Sequence, residues 1–120
     1  MVHMTDGNRA LVEHLATRVM GWRVFESLDL WHTAGCPGRC TIWQDGFLYT
    51  ADRLGLRVGW NPLDSWADAG ALLENLQQRE TNGDMEAFRV LREVSRRVFI
   101  FSVTPRAVSE AIGRATGFEE

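Results

Sequence analysis

Several residue types are missing or scarce in this chain of 120 residues, and each absence narrows its possible function. No apolar run approaches the roughly 20 residues that cross a bilayer, and no secretory signal is present, so we expect a cytoplasmic protein without a membrane partner. The formal net charge is only −3. A protein that coats nucleic acid carries a large positive excess, so we expect no stable nucleic-acid partner.

Lysine is absent, and all 13 basic residues are arginines. Codon bias in a GC-rich genome explains this composition without any function. The functional alternative is that the planar guanidinium group binds two oxygens of a phosphate or carboxylate at once. Five arginines are concentrated in one segment of an otherwise acidic chain, and they form the best candidate anion-binding surface, with solvated charge as the alternative. They are Arg89, Arg92, Arg96, Arg97 and Arg106.

Cysteine is also scarce, with only two in the chain. His32, Cys36 and Cys40 have the spacing H-x3-C-x3-C, and imidazole and thiolate are ligands of zinc. A closed structural site needs a fourth ligand, which this motif lacks, so we predict no structural zinc and no other metal there. A disulfide between the two cysteines is unexpected in the cytoplasm.

Aromatic residues, in contrast, are plentiful: the chain has five tryptophans and six phenylalanines. A domain of this size hides only about two thirds of the surface that its unfolded chain exposes. We therefore expect most aromatics in the core and the rest in a homo-oligomeric interface. Trp60 and Trp66 are the candidates for stacking on the base of a ligand.

The middle of the chain contains a pronounced helix start. Pro62 fixes φ and belongs just before or at a helix start. A helical spacing behind it predicts one buried face made of Trp66, Ala69, Leu73 and Leu76. On this pattern Trp66→Ala is the most damaging single change in the central helix. Three residues of the stretch are of types that cap helices, namely Asn61, Asp64 and Ser65.

The remaining patterns predict one domain spanning residues 1–120. Hydrophobic periodicity and capping residues predict helices at 5–20, 64–78 and 105–116. Asp45-Gly46 between two apolar segments predicts a hairpin with a type I′ turn. Residues 85–97 fit either a helix or the first strand of a hairpin that continues into 98–103. Short strands are also predicted at residues 22–25 and 56–60.

Chemistry-bearing motifs are missing throughout. Asp64 and Asp68 lie one helical turn apart, but negative charge at a helix N-terminus is already favourable, so we assign them to capping. No glycine-rich phosphate loop, dinucleotide fingerprint or Ser/His/Asp set is present. We therefore predict no catalytic residue, no enzyme activity and no cofactor.

Three stretches together resemble the phage ABA sandwich domain, a family of small phage and prophage proteins. They are Val19-Met20-Gly21-Trp22, the segment Trp60-Asn61-Pro62 with Asp64-Ser65-Trp66-Ala67-Asp68-Ala69, and Thr104-Pro105-Arg106-Ala107 with Ala111, Ile112 and Ala115. The resemblance implies phage origin and a β-hairpin between the second and third helices, which favours strands for residues 85–103. The expected fold is then α+β: a small antiparallel sheet of four to five strands with three helices packed on it, similar to an α-β-α sandwich.

The resemblance also suggests a function for the protein. Small phage proteins without catalytic motifs, rich in tryptophan and arginine, look like counter-defence sponges that sequester a nucleotide immune signal in the host cytoplasm. In that case a tryptophan stacks on the base and arginines bind the phosphates. The alternative is a protein–protein interaction module that blocks a host factor or serves phage assembly. The sequence identifies neither the nucleotide ligand nor the host target.

Overall fold

The computed structural model has a mixed α+β fold and describes residues 5–25, 40–44, 46–51, 57–98 and 103–118. Helix α1 (Asp6–His14) continues into a π-helical turn, Leu15–Val19. The strands are β1 (Arg23–Phe25), β2 (Cys40–Gln44), β3 (Phe47–Ala51) and β4 (Arg57–Gly59). The other helices are α2 (Trp66–Thr81), α3 (Met85–Arg97) and α4 (Pro105–Ala115).

In the described ranges the sheet has four strands in the order β1-β2-β3-β4. The predicted hairpin is confirmed: β2 and β3 pair antiparallel, Gln44 faces Phe47, and Gly46 has the positive φ of +83° that its turn requires. The expectation of a wholly antiparallel sheet is wrong, because β1 runs parallel to β2. Parallel neighbours need a connection of a dozen or more residues, and residues 26–39 supply that length.

The ends of the helices follow local side-chain chemistry. Thr5 caps α1, with its Oγ1 accepting from the backbone N–H of Asn8 at 3.2 Å. Ser65 caps α2 and Thr104 caps α4 in the same way, with Pro105 in the first turn of α4. The predicted first, central and last helices are therefore confirmed, with small shifts at their ends.

Residues 85–97 form a helix, so the hairpin expected from the resemblance is wrong for this segment. Asp84 caps α3, because its Oδ1 accepts from the backbone N–H groups of Glu86 at 3.0 Å and Ala87 at 3.2 Å. Buried Ala87, Val90 and Val94 then recur at helical spacing. The described part of the chain thus has four α-helices instead of three. The strand predicted at 98–103 falls mostly on residues 99–102, which lie outside the described residues.

The core brings the helices together with one face of the sheet. Trp22 and Trp60 meet edge to face with ring centroids 5.0 Å apart, among buried Leu15, Leu72 and Ile112. The predicted burial of Trp66 is wrong: 51% of this residue is exposed. Trp60 and Leu63, which come before α2 in the sequence, are buried in the core. The buried face of α2 itself consists of Ala69, Leu72 and Leu76. Trp66 therefore remains at the surface.

Helices α1 and α4, the first and last of the fold, lie side by side. Arg106 Nη1 donates to Asn8 Oδ1 at 3.2 Å near their N-terminal ends. His14 Nε2 lies 2.8 Å from Thr116 Oγ1 at the other end. Between these contacts the side chain of Leu11 packs directly against Gly113 of α4.

Two glycine-to-alanine variants test this close approach. Gly70→Ala in α2 should raise the free energy of unfolding by roughly 0.5–1 kcal/mol, because glycine loses more backbone entropy in a helix and a Cβ there meets no atom within 4 Å. Gly113→Ala should lower it, since the new Cβ would lie 2.6 Å from Leu11 Cδ1 and overpacking costs about 1–3 kcal/mol. Urea denaturation measures both, and equal gains in stability would contradict close packing of α1 on α4.

Candidate functional site

The outer face of α3 carries the strongest concentration of positive charge on one helix face. Arg89, Arg92 and Arg96 follow one another at steps of three and four residues, so they share one side of the helix. All three are exposed, and Phe88, itself 44% exposed, lies one turn before Arg92. We call Phe88, Arg89, Arg92 and Arg96 the arginine ridge.

The charge of the arginine ridge is only partly compensated. Arg89 Nη2 donates to the backbone oxygen of Ala115 at 3.0 Å, at the C-terminal end of α4. Arg96 Nη1 lies 4.0 Å from Glu93 Oε1, a loose ion pair. Arg92 makes no ion pair with any described residue. Like charges at these spacings destabilise a helix by about 0.2–0.5 kcal/mol per pair, so the ridge keeps its charge at a cost.

Arg97 and Arg106 do not lie on the ridge. The hairpin interpretation of residues 85–103 places Arg96 and Arg97 together at its turn, with Arg106 beside its end. In the helix that is observed, Arg97 is instead rotated away from Arg96 by about 100°. Arg97 Nε lies 3.4 Å from Glu93 Oε2. Arg106 contacts Glu110 Oε1 at 3.4 Å in addition to Asn8. The structure thus divides the predicted cluster: three arginines form the ridge, Arg97 lies on a second surface, and Arg106 lies at the contact between α1 and α4.

That second surface is a groove of about 290 Å³ between α3 and α4, which we call the α3–α4 groove. Its lining residues are Arg97, Ala107, Glu110, Ala111 and Arg114. Arg114 was not among the predicted site residues. The sequence contains a pattern that indicates its place beside Arg106: Arg106, Glu110 and Arg114 recur at steps of four and so lie along one side of a helix.

The two candidate stacking tryptophans are in different environments. Trp60 is only 4% exposed and packs on Trp22, so its predicted role in stacking on a ligand is wrong. Its indole Nε1 is buried and has no hydrogen-bond partner among the residues that the structure describes. Trp66 is half exposed at the first residue of α2 and remains available to a ligand or a partner. On the ridge the accessible aromatic ring belongs to Phe88.

The paired carboxylates of the central stretch are engaged in structural contacts, as the capping interpretation predicts. Asp68 Oδ2 accepts from the backbone N–H of Asn61 at 2.9 Å. Asp64 Oδ2 accepts from Asn61 Nδ2 at 3.1 Å. These contacts engage one oxygen of each carboxylate and hold the turn that leads into α2.

Among the described residues, two titratable groups have shifted pKa values, and both shifts have structural causes. Burial, assisted by the positive charge of Arg18, lowers the pKa of His14. A hydrogen bond from Arg79 Nε at 2.9 Å, together with the backbone N–H of Ala87, lowers the pKa of Asp84. Each group lies at a helix end where it makes tertiary or capping contacts, so neither shift marks a reaction centre.

Among the described residues, no group of three histidine, cysteine or acidic side chains is placed to hold a metal ion. His32 and Cys36 lie outside the described residues, so the prediction of no zinc there stays a prediction. No helix in the described ranges is long and apolar enough to span a membrane. Comparisons with models of protein families, with curated proteins and with solved structures give no match for this chain.

Proposed function

We propose that the protein is a non-enzymatic binding protein that sequesters an anionic, nucleotide-type ligand on the arginine ridge. The observation that supports this most is the sharing of one helix face by three arginines and a half-exposed phenylalanine. Phe88 offers a ring on which a base stacks, and Arg92 and Arg96 lie one and two turns further along the same face. The phage origin and the role as a sponge of an immune signal in the host cytoplasm belong to this proposal through the family resemblance.

Arg92 is the arginine of the ridge that we expect to bind the phosphate. A guanidinium group that already donates to a carboxylate has fewer of its five N–H groups left for a phosphate. Arg92 has no such pair in the described part of the chain, whereas Arg96 and Arg97 share Glu93. A free, forked donor beside an aromatic ring matches the chemistry of a phosphorylated base.

A protein–protein interaction module is the second candidate, and a different residue favours it. Met85 is 75% exposed and lies one turn before Arg89, so the ridge has an apolar end. Methionine, phenylalanine and arginine are enriched in protein interfaces, and a convex helix face suits a flat partner. Self-association belongs to the proposal in either case, since Trp66 and Val103 add exposed apolar surface.

Titration calorimetry with cyclic di- and trinucleotides and ADP-ribose derivatives tests the first candidate. Arg92→Gln should weaken nucleotide binding about tenfold or more, because a charge-assisted hydrogen bond contributes about 1.5–3 kcal/mol. Phe88→Ala should weaken it by a similar factor, since stacking on one ring is worth about 1–3 kcal/mol. Arg23→Gln is the matched control: it removes the same charge from an exposed position on β1, away from the ridge.

The outcomes separate the candidates. If no nucleotide binds at micromolar concentration, the nucleotide proposal falls and the interaction module remains. Binding that is indifferent to Arg92→Gln and Phe88→Ala would mean that the ridge is not the site. Met85→Ser removes apolar surface without charge or ring, so it should weaken a protein partner and leave nucleotide binding unchanged.

A further inference from the structure

The α3–α4 groove contains two arginines that have no role in the proposed function, Arg97 and Arg114. Arg97 enters it from the last residue of α3, and Arg114 from the C-terminal half of α4. Arg114 makes no side-chain hydrogen bond or ion pair with a described residue, so its guanidinium group keeps all its donors. Two like charges that face a common space repel each other, and an anion between them would remove that repulsion.

Glu110 is the one carboxylate among the residues that line the groove, and it does not compensate both arginines. Its Oε1 contacts Arg106 Nη1 at 3.4 Å, on the same helix. Glu93, near the opposite wall, is shared between Arg96 and Arg97. Both of these carboxylates are therefore already engaged, and Arg114 has no carboxylate partner within the ranges that the structure describes.

The groove stays open because its lining includes two alanines. Ala107 and Ala111 lie one turn apart on α4, and their side chains are too short to fill the space between the helices. The resulting volume of about 290 Å³ is many times the roughly 30 Å³ that one water molecule takes up in the liquid, so a tetrahedral oxyanion fits with room for a substituent. The groove is also open to solvent on one side, which gives a ligand direct access.

We propose that the α3–α4 groove is a binding site for a phosphate group, held between Arg97 and Arg114. A phosphate suits this arrangement better than a carboxylate, because its tetrahedral oxygens accept from two walls at once. A carboxylate presents its two oxygens in one plane and is satisfied by a single guanidinium fork. The phosphate belongs either to the free ion or to a phosphate monoester whose remainder extends out of the open side. This site is independent of the arginine ridge and of the ligand proposed there.

Calorimetric titration with inorganic phosphate and, separately, with glycerol phosphate tests this site at constant ionic strength. Arg114→Gln and Arg97→Gln should each weaken binding of the tighter probe about tenfold or more. Ala107→Leu should weaken it similarly while leaving every charge in place, because the larger side chain fills the groove. Tighter binding of glycerol phosphate identifies a monoester as the ligand, and tighter binding of inorganic phosphate identifies the free ion.

Arg23→Gln is the matched control, since it removes one exposed positive charge from β1, away from both α3 and α4. Its effect on phosphate binding should stay below about twofold, because salt screens exposed charges that lie outside the groove. Equal losses in Arg23→Gln and Arg114→Gln would overturn the proposal, since they would indicate attraction to overall charge. Absence of binding by both probes would overturn it too, as would binding that survives Ala107→Leu and Arg114→Gln together. Because the nucleotide proposal depends on Arg92 and this one on Arg114, the two fail separately.

Discussion

Trp60→Ala is expected to lower the free energy of unfolding by about 3–5 kcal/mol, the range for truncating a buried tryptophan. Trp60 is 4% exposed and packs edge to face on Trp22, so alanine would leave a cavity at a junction between the sheet and the helices. Its backbone N–H also donates to the carbonyl oxygen of Leu48 at 2.8 Å, which holds the residue beside β3. A loss of this size is a large part of the roughly 5–15 kcal/mol that stabilises a typical domain.

Trp66→Ala is the matched control for Trp60→Ala. The same substitution six residues further along should cost no more than about 1 kcal/mol, because Trp66 is half exposed and its removal opens no cavity in the core. Urea denaturation of both variants, followed by circular dichroism, measures the difference directly. Equal losses would mean that Trp66 is covered in solution, for instance by a second copy of the chain, and sedimentation of the wild-type protein would then show an oligomer.

Ser109→Ala is expected to have the second largest effect on stability, about 1–3 kcal/mol. Ser109 is fully buried in α4, and its Oγ donates to the carbonyl oxygen of Pro62 at 2.7 Å. Alanine would leave that buried carbonyl without its donor, in the turn that leads into α2. The higher helix propensity of alanine offsets only about 0.5 kcal/mol of the loss.

Ser95→Ala provides the comparison for Ser109→Ala. Ser95 is exposed on α3, and its Oγ donates to the carbonyl oxygen of Leu91 one turn earlier at 3.0 Å. Water replaces that bond when the hydroxyl is removed, so Ser95→Ala should be neutral or slightly stabilising. Thermal unfolding of the two variants under the same conditions should separate them by several degrees. If the two variants unfold at the same temperature, the hydrogen bond to Pro62 contributes little to stability. The contact between α4 and the turn at Pro62 is then held by apolar packing alone.

Local chemistry explains which parts of the fold could be predicted from the sequence. Thr5, Ser65 and Thr104 each satisfy an N–H group three residues ahead, a contact that depends on nothing outside its own helix turn. The positive φ of Gly46 is likewise a property of a two-residue turn. These signals fixed the helix starts and the hairpin.

Properties that depend on distant residues were not predictable in the same way. Good helix formers, and a helical face of Phe88, Leu91 and Val94, favoured a helix for residues 85–97, whereas the family resemblance favoured strands. The segment is a helix with a different buried face, so the five predicted arginines do not share one surface. Arg97 and Arg114 face the same groove only because α3 and α4 pack together, which no local pattern encodes.

The tryptophans show the same limit. Periodicity placed Trp66 on a face with Leu73 and Leu76, but burial on a helix depends on what lies opposite. Trp60 and Leu63 fill the core before α2 begins, so Trp66 is left outside. Sequence periodicity indicated that α2 has a buried face, and tertiary packing decided which residues at its N-terminus belong to it.

The pairing of α1 with α4 has a consequence for synthesis of the chain on the ribosome. His14 and Thr116, which meet at one end of this pair, are 102 positions apart. At typical translation rates of about 5–20 residues per second, α1 emerges roughly 5–20 s before the helix against which it packs. During that interval its apolar face has no native partner on α4 and is open to chaperones or to aggregation. The nascent protein should therefore acquire protease resistance only after α4 has been made, however early α1 becomes helical.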